Sequence, residues 1–213
     1  MIIDYRNTQY CQNLDDIRNR KAAVETTIKE QHRRAKDMHR YVSENGSVYK
    51  TQFIEAYNGK CAYCGMSIDI APKEFFEIDH YIFKESAKFH TKKDAGYMDN
   101  LVLACHTCNH RKSDFEITDK NYKKLYPDGK EITNTFFRDS DYYIRVSSAE
   151  KTNSEVLAFY EQLGFGDELR RLDYLLLSIY GFEESIKDKN GMAEVYRKID
   201  SMAALLRKKR NVI

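Results

Sequence analysis

Two Cys-x-x-Cys pairs constrain the fold of this chain more than any other feature of its sequence. Cys61 and Cys64 form the first pair, Cys105 and Cys108 form the second, and Cys11 stands apart from both. Cysteines three residues apart can present both sulfurs to one ion from a tight knuckle, and a tetrahedral zinc ion takes two such pairs. In an intracellular chain the pattern indicates zinc before disulfides. Cys11 is expected to be a small, half-buried side chain.

The segment between the two knuckles must itself fold, because the knuckles are about 40 residues apart, farther than in a compact zinc finger. The β-favouring residues that follow Pro72 predict a strand over 75–79, and 101–104 is a second short apolar strand. The polar segment 90–99 is expected to be a loop with Gly96 as its flexible point. A helix is expected over 109–115, directly after the second knuckle.

The region before the first knuckle is predicted to be helical. Apolar residues recur over 14–42 at steps that favour one amphipathic helix, although Lys21 and Gln31 interrupt the stripe. A shorter helix over 47–57 then leads into the knuckle. The basic residues of this region fit a solvated helix face and a phosphate-contacting face equally well. They are Lys29, Arg33, Arg34, Lys36 and Arg40.

The region after the second knuckle is predicted to contain a hairpin over 135–146 and then three helices. A capping box from Thr152 to Glu155 begins the first helix, which ends at Gly164. The second helix follows Asp167 and ends near Gly181. The last helix begins near residue 192 and is expected to bury one apolar stripe, formed by Val195, Tyr196, Ile199, Met202 and Leu206.

The composition excludes a disordered chain and a membrane-spanning chain. Of 213 residues, 42% are hydrophobic and 32% are charged, as in ordinary globular proteins. The mean hydropathy of −0.70 argues against a membrane span. The start of the sequence has no apolar stretch typical of a signal peptide, so a cytoplasmic location is expected. Because the net charge is only +2, nucleic-acid contact would depend on local patches.

Residues suited to phosphodiester chemistry lie between and beside the knuckles. Asp79 and His80 end the first strand, Asn100 precedes the second, and Asn109 follows the last cysteine. Carboxylate and amide oxygens are ligands suited to Mg²⁺ or Mn²⁺. A neighbouring neutral imidazole can deprotonate water near neutral pH. One cation and one base are the minimum for hydrolysing a phosphodiester.

Together these motifs resemble those of the HNH endonucleases, which have a ββα-metal fold and, in many members, structural zinc. The resemblance covers about a quarter of the chain and rests on Cys61-x-x-Cys64, Asp79-His80, Asp99-Asn100-Leu101 and Cys105-x-x-Cys108-Asn109-x-x-Lys112. It implies an α+β fold with a small nuclease core at 58–119. A helical region at 1–57 would precede this core, and a hairpin plus helical region at 120–213 would follow it.

The resemblance also implies roles for individual residues. His80 would be the general base, while Asp79 and Asn109 would hold the Mg²⁺ or Mn²⁺ ion. Asn100 would order the loop between the strands. Lys112 lies one helical turn beyond Asn109 and would contact a phosphate. Arg111 fits a phosphate contact and a solvated helix residue equally well.

Two positions depart from the commoner pattern of the family. The third residue of the family motif is often histidine, whereas this chain has Asn109 at that position, which makes it an HNN variant. His110, the next residue, is a less favoured candidate for the third ligand of the catalytic cation. Tyr81-Ile82-Phe83 follows the Asp-His pair where many relatives have proline, which affects the expected loop geometry. Four further histidines have no partner in the motif and are expected to be surface or helix-face residues rather than ligands: His32, His39, His90 and His106.

The layout of a small nuclease core with helical flanks resembles the nuclease subunits of bacterial anti-phage systems of the Septu type. That resemblance implies an ATPase as protein partner and no membrane partner, while the resemblance to the HNH family favours DNA over RNA as substrate. Three alternatives stay open at this point. They are a free-standing or phage-borne nicking endonuclease, an RNA-cleaving nuclease, and a zinc module that binds nucleic acid without catalysis.

Overall fold

The computed structural model describes residues 4–212, and the part of it before the first knuckle contains three helices. They are α1 (Ile17–Gln31), α2 (His39–Val42) and α3 (Val48–Ala56). The prediction of α3 is confirmed, and the Ser47 side chain caps it by accepting a hydrogen bond from a backbone amide of its first turn. The prediction of one continuous helix over 14–42 is wrong, because the chain leaves the helix between α1 and α2.

The break between α1 and α2 is caused by a contact with the loop that precedes the second strand. The amide of Met38 donates a hydrogen bond to the carbonyl of Gly96, at 2.7 Å. A Cβ at Gly96 would lie 2.0 Å from Oδ1 of Asp37. A larger residue here would displace the Asp37 side chain, so Gly96 is a buried packing point rather than the flexible point that we expected.

The centre of the fold is the expected strand–strand–helix unit. Strand β1 (Phe76–His80) pairs antiparallel with β2 (Leu101–Cys105), in a register that places His80 opposite Leu101. Helix α4 (His106–Lys112) follows β2 directly. It begins three residues earlier than predicted, since Cys108 lies within its first turn rather than ahead of it. This unit and its helical surroundings confirm the α+β fold class.

The C-terminal region contains more helices than the sequence predicted. The short helices α5 (Tyr122–Leu125) and α6 (Ile132–Thr135) were not expected. The predicted hairpin is confirmed, with β3 (Phe136–Arg138) paired antiparallel with β4 (Ile144–Val146). Three longer helices follow it, namely α7 (Ser154–Gln162), α8 (Glu168–Ile186) and α9 (Ala193–Arg210).

Two helix boundaries of this region differ from prediction for reasons of packing. Helix α7 is capped by Asn153 and not by Thr152, and Glu155 instead accepts hydrogen bonds from the segment that precedes α5. Helix α8 continues past Gly181. The glycine allows close packing of the N-terminal segment on the helix and does not end it. A Cβ at Gly181 would lie 2.7 Å from Sγ of Cys11, where the N-terminal segment crosses the helix.

The apolar stripe predicted for the last helix is mostly exposed, so that prediction is wrong. Tyr196 is 39% exposed and Met202 is 56% exposed, whereas Ala203 is buried. Helix α9 packs mainly against α8. Because a single neighbouring helix covers only one narrow face, the rest of the stripe faces outward.

The regions before and after the central unit pack onto it through buried polar contacts as well as a shared hydrophobic core. The ammonium of Lys21, on α1, lies 2.6 Å from the carbonyl of Leu101 and 2.6 Å from Oδ2 of Asp128. The hydroxyl of Tyr57 donates to the same carboxylate. The domain boundaries at 57/58 and 119/120 stay predictions. Within residues 4–212, no helix has both the length and the apolarity to cross a bilayer.

Candidate active site and zinc centre

The four cysteines of the two knuckles converge in the interior. Their sulfurs all lie within 4.8 Å of one another, and all four residues are buried. The sulfurs of Cys64 and Cys105 are 3.8 Å apart. Zinc–sulfur bonds of about 2.3 Å in a tetrahedron place sulfurs about 3.8 Å apart, whereas a disulfide requires about 2.0 Å. The donor set therefore fits a structural zinc ion.

Two backbone hydrogen bonds form the turn of the first knuckle. The amide of Cys61 donates to the carbonyl of Met66, and the amide of Gly65 donates back to the carbonyl of Cys61. Gly65 has a φ of 79°, and a Cβ there would lie 2.6 Å from the carbonyl oxygen of Arg6. Glycine is needed because the turn is left-handed and the N-terminal segment packs directly on it. The second knuckle uses the end of β2 and the first turn of α4.

An arginine from the C-terminal region completes the cysteine cluster. The guanidinium of Arg170, on α8, donates to the sulfurs of Cys64 at 3.3 Å and Cys108 at 3.2 Å, and it lies 3.7 Å from the sulfur of Cys105. Burial acts to lower the pKa of Arg170, but the charges of the neighbouring thiols outweigh it and the pKa is raised. Four thiolates around Zn²⁺ carry a net negative charge, which this buried cation offsets. The sequence contained no signal for this contact.

Asp79, His80 and Asn109 line one cavity of about 330 Å³ at the junction of β1 and α4. The strand end supplies Asp79 and His80, and the helix supplies Asn109. The same cavity is lined by His39 from α2 and by Lys84 from the loop after β1. The structure thus brings together the three residues that the sequence singled out as base and hard-cation ligands, although 29 residues separate His80 from Asn109.

The carboxylate of Asp79 is buried and held by two partners. The hydroxyl of Tyr63, inside the first knuckle, donates to its Oδ2 at 2.7 Å, and the ammonium of Lys112 lies 3.2 Å from the same oxygen. Burial raises the pKa of Asp79, and the interactions with Lys112 and Tyr63 offset this only in part. A divalent cation would favour the charged carboxylate in the same way as Lys112 does.

His80 has the protonation state that a base requires. Burial, together with the nearby charges of His39, Lys84 and Lys112, lowers the pKa of His80 to about 3. The imidazole is therefore neutral at neutral pH. The ring of His39 stacks on that of His80, with centroids 4.5 Å apart and planes 30° apart. His39 was expected to be a surface or helix-face histidine rather than a ligand, and its contact with His80 depends on the break between α1 and α2.

The side-chain nitrogen of Asn109 is engaged by a neighbouring carboxylate, which leaves its side-chain oxygen available as a ligand. The amide nitrogen donates a short hydrogen bond to Glu77, on β1. Only the oxygen of an asparagine amide is a suitable ligand for a hard cation. The hydrogen bond to Glu77 therefore leaves the Asn109 oxygen free for a cation. The sequence analysis missed Glu77, whose position two residues before Asp79 places it on the same face of the strand.

Residues 61–115 match the family model of the HNH endonucleases. The matched region contains both knuckles, the Asp-His pair, Asn100 and Asn109, and it covers about a quarter of the chain. The match and the buried cysteine cluster fit an HNH family and support a nuclease. Neither a curated protein nor a solved structure matches the chain.

Asn100, the middle asparagine of the HNH region, has the surroundings of a residue that orders a loop. Its side chain is fully buried, accepts a hydrogen bond from the amide of Ile82, and donates to the carbonyls of Ile82 and Ala95. These bonds join the two ends of the long connection between β1 and β2. Asn100 therefore holds the two ends of this loop together, even though the chain has Tyr81-Ile82-Phe83 where many relatives have proline.

The two basic residues expected to contact phosphate lie in different environments. Lys112 is fully buried, and its ammonium donates to the carbonyl of His80 at 3.0 Å in addition to its contact with Asp79. It supports the strand end from inside the HNH region instead of facing solvent. Arg111 is exposed at 42% and pairs with Asp167 at 2.5 Å. A phosphate could reach Arg111 only in competition with that carboxylate.

Proposed function

We propose that this chain is a metal-dependent HNH endonuclease that hydrolyses phosphodiester bonds in DNA, with His80 as the general base. The observation that carries the proposal is the convergence of Asp79, His80 and Asn109 on one cavity of the HNH region. A zinc module that only binds nucleic acid would not need a neutral histidine beside a carboxylate and an oriented amide.

Asp79 and Asn109 would hold Mg²⁺ or Mn²⁺. Their carboxylate and amide oxygens fit a hard cation that keeps several waters and takes a phosphate oxygen as a further ligand. When bound, the ion supplies charge stabilisation for the phosphate and for the departing 3′ oxygen. The protein holds the Asp79 and Asn109 side chains in place before the ion binds. Tyr63 and Lys112 fix the carboxylate, and Glu77 fixes the amide.

His80 would accept a proton from the water that attacks phosphorus. The water oxygen forms the new bond to phosphorus, the bond from phosphorus to the 3′ oxygen breaks, and that oxygen takes a proton from solvent water as it leaves. The products are a 5′-phosphate and a 3′-hydroxyl. Burial and the surrounding cations keep His80 neutral before the step, and the stacked ring of His39 restricts its orientation.

The structural zinc ion would have no part in this chemistry. All four cysteine sulfurs are committed to the interior cluster, which leaves no open position for a substrate. Its role is to join β2, α4 and the first knuckle. Because Tyr63 lies between Cys61 and Cys64, the zinc cluster also holds the hydroxyl that bonds to Asp79.

We further propose that the chain acts in the cytoplasm as the nuclease effector of an anti-phage system of the Septu type, with an ATPase partner. Two observations support dependence on a partner. The net charge of +2 provides little general attraction for DNA. In addition, Arg111 is paired with Asp167 and Lys112 is buried, so α4 offers little free basic surface beside the cavity.

The proposal is tested by incubating the zinc-loaded protein with supercoiled plasmid and, separately, with RNA, in Mg²⁺ or Mn²⁺. Weak cleavage of plasmid, leaving 5′-phosphate ends, is expected from the isolated chain, and the ratio of nicked to linear product shows whether one strand or two are cut. Cleavage of RNA alone would overturn the DNA assignment. Full activity of the isolated chain would contradict the dependence on an ATPase partner.

A further inference from the structure

The outer face of α4 carries a group of metal-ligating side chains that the nuclease chemistry does not use. His106 and His110 lie one turn apart on the helix, with ring centroids 3.9 Å apart. Glu77 projects beside them from β1, and its Oε1 lies 2.7 Å from Nδ1 of His106. One ligand atom from each of the three residues lies within 4.8 Å of the others.

We propose that Glu77, His106 and His110 form a second metal site for a borderline transition-metal ion such as Zn²⁺ or Ni²⁺. Two imidazoles and one carboxylate are a common set of three protein ligands for such ions, with water in the open position. The site differs in its donors from both other centres. The cysteine cluster offers only sulfur, and Asp79 and Asn109 offer only oxygen.

The separations of the ligand atoms can be closed without moving the backbone. Bonds of about 2.1 Å in a tetrahedral site place ligand atoms about 3.4 Å apart. The side chain of His106 is 50% exposed and that of Glu77 is 33% exposed, and His110 is exposed as well. Rotation of these side chains can therefore lengthen the 2.7 Å contact between Glu77 and His106 and adjust the remaining separations. An ion can enter directly from solvent.

The second site would share one residue with the machinery that orients Asn109. Glu77 accepts a hydrogen bond from His106 through one oxygen and from Asn109 through the other. An ion bound to Glu77 and the two histidines would replace the contact between Glu77 and His106. It would also weaken the negative charge that attracts the Asn109 amide. Occupancy of this site would thus be coupled to the orientation of a proposed ligand of the catalytic cation.

The test is a calorimetric titration of the zinc-loaded protein with Ni²⁺ in a buffer that contains millimolar Mg²⁺. Mg²⁺ occupies oxygen sites and competes poorly for imidazole, so the heat reports nitrogen-containing sites. These include the imidazoles of His39 and His80, and the variants distinguish the proposed site from that pair. We expect one additional equivalent of Ni²⁺ to bind. The affinity should fall by roughly tenfold or more in His110→Ala and in Glu77→Gln.

His90→Ala is the matched control, since His90 is also exposed but lies outside the cluster. It should leave Ni²⁺ binding unchanged. In NMR spectra of the wild type, Ni²⁺ should broaden the imidazole signals of His106 and His110 more than those of His90. Equal affinity in the wild type and His110→Ala would overturn the site, as would the absence of any binding in the presence of Mg²⁺. Melting curves of each variant would show that the fold is retained.

Discussion

Replacing Arg170 by alanine tests whether the C-terminal region is part of the zinc centre. Arg170 is 2% exposed, and its guanidinium donates to the sulfurs of Cys64 and Cys108 and to the carbonyl of Leu163. Breaking a buried, charge-paired contact typically costs about 3–5 kcal/mol. For a chain of this size, each kcal/mol lowers the Tm by about 2–4 °C. We therefore expect the Tm of Arg170→Ala to fall by about 6–20 °C.

Zinc affinity should fall as well, because the cation at Arg170 offsets the negative charge of a tetrathiolate zinc ion. Loss of a group that hydrogen-bonds to metal ligands typically weakens metal binding by about 10–100-fold. The measurement is competition for zinc with a chelator of known affinity, alongside thermal melting. Arg170→Lys should recover part of the charge effect but not both sulfur contacts, since lysine has no planar fork of donors.

Arg171→Ala is the matched control, because the neighbouring arginine lies on the same helix and makes contacts nearer the surface. It pairs with Glu168 and donates to the carbonyl of Asp141, and pairs of this kind contribute about 1 kcal/mol or less. Equal losses of stability in Arg170→Ala and Arg171→Ala, or unchanged zinc affinity in Arg170→Ala, would refute the reasoning.

Three further outcomes follow from the structure. Asn100→Ala leaves three buried backbone groups without hydrogen-bond partners. The free energy of unfolding should fall by about 3 kcal/mol, which lowers the Tm by about 6–12 °C. A change in Tm below about 2 °C would contradict the role assigned to Asn100. Removal of zinc by a chelator, or Cys64→Ser, should sharply lower the Tm, because the cluster joins the first knuckle to β2 and α4. Metal loss without a change in melting would rule out a structural role. Hydrogen bonds from Lys209 and Tyr143 lower the pKa of Glu168 to about 2. The stability that this carboxylate contributes is present above its ordinary pKa near 4.5 and is lost as the pH falls towards 2. The loss should be smaller in Glu168→Gln, as measured by chemical denaturation across that range.

The parts of the site that the sequence predicted are those encoded by local spacing. The cysteine pairs imply two knuckles, because only a tight turn brings such residues onto one ion. The Asp-His pair lies at the end of a strand that β propensity also indicates, and Asn100 precedes a short apolar run. These features depend on residues close in sequence, so they can be identified without knowing the tertiary structure.

The features that sequence analysis missed depend on contacts between distant segments. Arg170 reaches the cysteine cluster from a helix 62 residues after Cys108, and no local pattern marks it. The break that places His39 over His80 depends on packing against Gly96. Lys112 has the sequence spacing of a phosphate contact, but its orientation is determined by the buried Asp79 carboxylate.

The exposed apolar stripe of α9 shows a third reason why a prediction from sequence was wrong. Hydrophobic periodicity indicates which face of a helix is apolar, but not whether a second layer exists to cover it. In the described structure α9 packs mainly against α8, so residues such as Tyr196 and Met202 remain exposed.

Chemical rescue of a variant without the proposed base tests the central claim most directly. Initial rates of plasmid cleavage in Mg²⁺ or Mn²⁺ are compared for the wild type, His80→Ala and the control His90→Ala, with imidazole added at increasing concentration. Loss of a general base should reduce the rate of His80→Ala by about 10²–10⁴-fold. Added imidazole should restore part of that rate while leaving the other two proteins unchanged. A His80→Ala protein that cleaves at the wild-type rate would contradict the assignment of His80 as the general base.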